Sequence, residues 1–188
     1  MIHRPPLRPL LAGALLGALM AGLAGCGWYP RPIAGVPPGA PWIHLPVGRF
    51  LAEDRAEPEA LALCPRPECG PPLAVGVVRL TGAEADLAEA VLARPDRLAE
   101  ALAEGTLRPT RGRPPSKVRS TTSATRLTMG EARGFSLALS RLDGSRAAFG
   151  AALGRRLGDT LTIVLVIGED PSVVERTARD VAAGHLAS

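Results

Sequence analysis

Asp143-Gly144 stands between two β-rich runs, and it constrains this chain more tightly than any other feature. A two-residue type I′ turn needs positive φ at both central positions, which Asp-Gly tolerates and most residue pairs do not. The turn fixes a register, setting Leu142 opposite Ser145, Leu139 opposite Ala148, Ala138 opposite Phe149 and Leu137 opposite Gly150. Large residues then meet small ones on both faces, so layers can pack on each side of the sheet without overcrowding. A covered antiparallel sheet follows.

The flanking segments extend that sheet. Gly158-Asp159 marks a second turn, and Leu161 to Ile167 beyond it is the most apolar strand of the chain, expected at the sheet centre. Asp170 is a natural N-cap and Pro171 suits the first helical position. Val174, Thr177, Ala178 and Val181 then recur at helical spacing before Gly184, the expected stop. Upstream, Leu73 to Leu80 is β-rich without polar alternation, which predicts a strand covered on both faces, with Glu59 to Leu63 as its neighbour. Thr81-Gly82-Ala83-Glu84 has the capping-box pattern. The helix it opens is expected to bury Leu87, Val91 and Leu92, to break at Pro95, and to resume through Leu98 and Leu102 as far as Gly105. The order predicted is two or three strands, a broken helix, a three- or four-strand meander from near Val118, and a final helix. This is an α+β class, a mainly antiparallel sheet packed by the broken helix and the C-terminal helix. Over residues 117 to 186 the meander and closing helix resemble, in topology alone, the C-terminal part of the PsbP-like and DcrB-like envelope proteins; no functional residue of those families can be matched here.

The N-terminus carries a different signal. Arg4 and Arg8 precede an apolar run from Leu10 to Leu23, the charged and hydrophobic regions of a secretory leader. The run ends in Leu23-Ala24-Gly25-Cys26, which resembles the lipobox of bacterial lipoproteins. The resemblance implies cleavage after residue 25, acyl chains on Cys26, and stable anchoring to a membrane surface. Gly27 in place of Asp favours the outer membrane under the enterobacterial sorting rule. Residues 28 to 46 hold six prolines and two glycines and read as an extended tether, with Trp28 and Tyr29 placed to lie at headgroup level or to pack on the domain. The expected organisation is leader 1–25, lipidated cysteine and tether 26–46, and one domain over 47–188.

With Cys26 assigned to lipid, Cys64 and Cys69 remain as a pair in an oxidising compartment, expected to form a small disulfide around Pro65-Arg66-Pro67-Glu68. A zinc site lacks partners, since the mature chain offers only His44 in the tether and His185 after the last helix. Asp159, Glu169 and Asp170 are read as turn and cap residues, with a divalent-ion rim as the sharper alternative. Arg108, Arg111, Arg113, Lys117 and Arg119 fall within twelve residues and mark a basic loop, a candidate contact for anionic headgroups or another polyanion. Net charge is +4 over the chain and +2 once Arg4 and Arg8 leave with the leader, too little to imply nucleic acid.

No nucleophile elbow, Walker loop, dinucleotide fingerprint or metalloprotease helix occurs in the sequence. The expectation is therefore a non-enzymatic, membrane-anchored envelope lipoprotein whose domain binds a partner protein or assists an assembly, without cofactor or metal. A small-ligand or ion-binding carrier module is the alternative, followed by an enzyme with an unrecognised site.

Overall fold

The structure is a computed structural model that describes residues 31–39, 41–45, 57–105, 120–141 and 147–186. Its elements in chain order are β1 (Ile43–Leu45), β2 (Glu57–Cys64), β3 (Leu73–Thr81), α1 (Gly82–Ala93) and α2 (Pro95–Gly105), then β4 (Ser120–Met129), β5 (Ala132–Arg141), β6 (Ala147–Leu157), β7 (Thr160–Gly168) and α3 (Pro171–His185). The strands form one sheet in the order β1-β2-β3-β7-β6-β5-β4. Every neighbouring pair is antiparallel. The expected α+β class is what the molecule has.

β7 is the central strand, as its apolar run predicts, and it closes the sheet by pairing with β3 from Leu73↔Gly168 to Thr81↔Thr160. The register set by Asp143-Gly144 holds on the strands it joins, with Leu137↔Gly150, Ala138↔Phe149 and Leu139↔Ala148 paired. Leu142 and Ser145, the pair next to the turn, lie outside the described residues.

Successive side chains of a strand point to opposite faces, so each strand feeds two layers. On one face Val75, Val77, Leu153, Val164 and Val166 pack with Val174, Ala178, Val181 and Ala182 of α3 in the larger core. Asp170 caps α3 as expected: its carboxylate accepts from the backbone N–H of Ser172 (2.8 Å) and Val173 (3.0 Å) and from the Ser172 hydroxyl (2.6 Å). These bonds favour the ionised form; the Ser172 hydroxyl contributes most, and they hold the Asp170 pKa below the ordinary carboxylate value. On the opposite face Phe135, Ala152, Leu161 and Ile163 pack under Ala85 and Leu92 of α1.

Four expectations need correction. Leu73 to Leu80 is sealed on one face only, through Leu73, Val75 and Val77, while Ala74, Gly76, Val78 and Leu80 are half-buried. Helix α1 begins where the capping box predicts, yet the Thr81 side chain makes no cap hydrogen bond. Of its expected face only Leu92 is buried, beside Ala85, whereas Leu87 is 70% exposed and Val91 is exposed. The cause is tertiary, because Leu92 fills the hollow over Gly154 and small residues let the helix backbone approach the sheet. Gly184 does not stop α3, which runs on to His185. Its role is close approach, since a Cβ there would stand 2.6 Å from Ala34 Cβ.

The described part of the expected tether is packed on the domain. Ile33 and Val36 are buried in the larger core, and β1 pairs with β2 through Ile43↔Leu63, His44↔Ala62 and Leu45↔Leu61. Gly35, at φ +86°, passes so close to α3 that a Cβ would meet the Asp180 carbonyl oxygen at 2.8 Å. Proline-rich backbone excludes helix but still lets two aliphatic side chains reach a core.

Candidate functional site

The arrangement of greatest interest is an apolar surface that the fold leaves half uncovered. On the α1 face, residues at matching register form two rows across the strands. One row runs Ile43, Leu63, Ala74, Ile167, Gly150, Leu137, and the next runs Leu45, Leu61, Gly76, Leu165, Ala152, Phe135. At the β5–β6 end of these rows Phe135 and Ala152 are buried under α1 and Leu137 packs against the same cluster, while Ile43 of β1 and Leu165 and Ile167 of β7 stay exposed. Ile167 is 59% exposed, Ile43 50% and Leu165 40%. Ala74 and Gly76 make β3 a shallow trough between the Leu61–Leu63 and Leu165–Ile167 ridges. The trough is open, because the nearest atom to a Cβ built on Gly76 is Leu61 Cδ1 at 3.8 Å. Large contiguous exposed apolar patches are a common feature of interaction surfaces.

Two consecutive arginines of β6 fix the layers that frame this face. Arg155 turns towards α3, donating to the Leu186 carbonyl at 2.7 Å and pairing with Glu131 at 2.8 Å. Arg156 turns the other way and binds Asp86 at 2.6 Å and Glu89 at 2.9 Å on α1. Those two carboxylates, Asp86 foremost, raise the Arg156 pKa above its already high ordinary value. The sequence reading missed this pair, although adjacent arginines in an apolar strand are a signal that each face has its own acidic neighbour.

Two clefts open at the lower edge of the same face, where the α1–α2 break meets the sheet. One, of about 320 Å³, is lined by Leu92, Ala93, Leu161 and charged residues of β5 and β6. The other, of about 250 Å³, shares Leu92, Ala93 and Arg133 with it and adds Arg126, Thr128 and Gly134. A smaller hollow of about 120 Å³ lies on the α3 face between Ser123, Thr125, Ser136, Phe149 and the start of α3.

Among the described residues, those singled out in the sequence are not brought into one site. Cys26, with Trp28 and Tyr29, lies outside the described residues, as do Arg108, Arg111, Arg113, Lys117 and Arg119. Cys64 and Cys69 are bonded, with Cα atoms 5.8 Å apart, and Cys64 is buried in the larger core. Arg66, within their loop, pairs with Glu169 at the end of β7. Asp159 follows β6 and Glu169 and Asp170 follow β7, so the full length of β7 separates them and the proposed acidic rim does not form. Among the described residues no group of three His, Cys, Asp or Glu gathers to hold a metal ion. His44 belongs to β1 rather than to a free tether, and both its ring nitrogens are buried without a hydrogen-bond partner. His185 is the last residue of α3, and its Nε2 accepts from the Ala34 backbone N–H at 3.0 Å. No helix among the described residues is long and apolar enough to cross a membrane.

The architecture defines a seven-stranded antiparallel α+β domain with helices on both faces. Among solved structures it is similar to LpqN of Mycobacterium tuberculosis, described as involved in cell envelope biogenesis. That match covers 84% of this chain and 81% of LpqN, with 15% identity and a TM-score of 0.33. A likeness of that size supplies neither an activity nor a functional residue. No family model matches the chain, and no curated protein matches it.

Proposed function

We propose that this chain is a membrane-anchored envelope lipoprotein, not an enzyme, whose folded head binds a partner protein through the open half of its sheet. The observation that carries the reading is the exposed apolar surface around Leu165 and Ile167, where β3 supplies a trough of small residues between two aliphatic ridges. The occupant fitting that shape is the apolar face of an amphipathic helix, whose side chains at helical spacing fill such a groove. Leu23-Ala24-Gly25-Cys26 supports the anchor, because two or more acyl chains are what stable attachment needs.

Site-specific photocrosslinking in intact envelopes tests the surface. A crosslinker at position 167 is expected to trap one protein reproducibly, a crosslinker at exposed Arg176 on α3 is not, and Leu165→Asp is expected to abolish the adduct while the domain stays folded. An adduct whose mass is twice that of the chain would identify a second copy instead, and equal trapping from both positions would refute the surface. Mass spectrometry of the mature N-terminus tests the anchor: a diacylated Cys26 is expected, and an intact leader would overturn it.

A further inference from the structure

The twin clefts at the α1–α2 break carry an excess of positive charge that the fold does not neutralise. Four arginines line them, Arg126, Arg133, Arg155 and Arg156, against two acids, Glu89 and Glu131. Both acids are already engaged, Glu89 by Arg156 at 2.9 Å and Glu131 by Arg155 at 2.8 Å. Among the described residues, Arg126 and Arg133 have no hydrogen-bond or ion-pair partner.

These two are not scattered surface cations. Arg126 is paired with Phe135 and Thr128 with Arg133, so the guanidiniums project from the same face at a diagonal of the β4–β5 ladder. The backbone positions there are about 7–8 Å apart, well within reach of two long side chains, and like charges so placed repel. A bound anion removes that repulsion, and guanidinium forks match the oxygens of phosphate or carboxylate better than any other side chain. Beside them the walls are apolar: Leu92 and Ala93 border both clefts, and Leu161 borders the larger.

We propose that the two adjoining clefts, joined at Leu92, Ala93 and Arg133, together bind a phosphate-bearing amphiphile, with Arg126 and Arg133 clamping the phosphate and the Leu92–Ala93–Leu161 wall receiving the first carbons of its apolar part. The site lies apart from the open half of the sheet, and it does not rest on the partner-binding reading.

The test uses the full chain in a non-ionic detergent, titrated by calorimetry with dihexanoyl phosphatidylglycerol, dihexanoyl phosphatidylcholine and inorganic phosphate. Saturable binding of the phosphatidylglycerol is expected, at least tenfold tighter than of the zwitterionic lipid. R126Q/R133Q is expected to weaken it at least tenfold, and Arg141→Gln, on β5 but outside both clefts, to leave it unchanged. Ala93→Trp, which fills the apolar wall and keeps both charges, is expected to reduce phosphatidylglycerol to the affinity of inorganic phosphate. Inorganic phosphate binding as tightly as the lipid in the unaltered chain would keep the clamp and identify a soluble phosphate as its ligand. Equal binding of the two lipids, or a folded R126Q/R133Q chain that binds like the parent, would overturn the proposal. The single variants R126Q and R133Q, each expected at intermediate affinity, decide the matter if the double variant does not fold.

Discussion

The two faces of this sheet are made by the same strands and have different fates. Towards α3, Leu73, Val75 and Val77 of β3 and Val164 and Val166 of β7 are all buried, and Ile33 and Val36 complete the cover. Towards α1, β7 buries Leu161 and Ile163 but leaves Leu165 and Ile167 exposed. The difference comes from how each helix is held. α3 lies over β6 and β7 and is stitched to the N-terminal segment, whereas α1 is held by Leu92 over Gly154 and by Arg156 binding Asp86 and Glu89. A helix of twelve residues is roughly 18 Å long, while the nine residues of β7 extend about 30 Å. Covering one half of the face therefore leaves the other half available.

The contrast can be broken most directly by truncating one side chain on each face. Leu153→Ala, on the sealed face, is expected to cost about 2–5 kcal/mol in urea denaturation, whereas Ile167→Ala on the open face is expected to change stability by less than about 0.5 kcal/mol. Comparable losses at both positions would mean that the open half is covered in solution.

Glycines sharpen the same comparison. A Cβ on Gly168 would stand 2.7 Å from Leu73 Cδ2 and 2.9 Å from Val174 Cγ2, so Gly168→Ala is expected to cost about 1–3 kcal/mol by overpacking. Gly76→Ala, on the trough of the open face, has room and is expected to be close to neutral. Calorimetric melting of the two variants side by side checks the pair.

Removing the disulfide with C64A/C69A is expected to cost roughly 2 kcal/mol, because the closed loop is short. The smallest effect is a pH slope at the cap of α3. The Asp170 pKa is lowered on folding, so its contribution is full above the unfolded carboxylate pKa and fades as pH falls through the lower folded value. Asp170→Asn keeps a capping oxygen that does not titrate, so it is expected to flatten the acid limb of a stability profile measured across the carboxylate range. An unchanged slope would remove Asp170 from the account of that limb.

How much of this could be read in advance differs by element. The β5–β6 register, the cap of α3 and the break at Pro95 were legible because each depends on local backbone chemistry within a few residues. The buried face of α1 was legible only at Leu92: Leu87 and Val91 satisfy a helical stripe as well as Ala85 does, and the choice between them is made by a hollow over Gly154 in a distant strand. Proline content concealed the packing of Ile33 and Val36, since it reports on backbone conformation and not on where a side chain ends. The cleft arginines were within reach. Gly130 and Glu131 join β4 to β5 as a two-residue turn, which sets Thr128 opposite Arg133 and so places Arg126 on the same face. The denser charge cluster at residues 108–119 is the more conspicuous signal in the sequence, and it lies outside the described residues.

The clasp between Ala34 and His185 has a mechanical meaning. It brings the start and the finish of the described chain to one point, so a pull on residue 31 meets the terminal helix and the short strand β1 before it loads the hairpins. Tension drawn from the N-terminal side would peel Ile33 and Val36 away first and leave the β4–β7 meander intact, making this corner the yield point of the molecule.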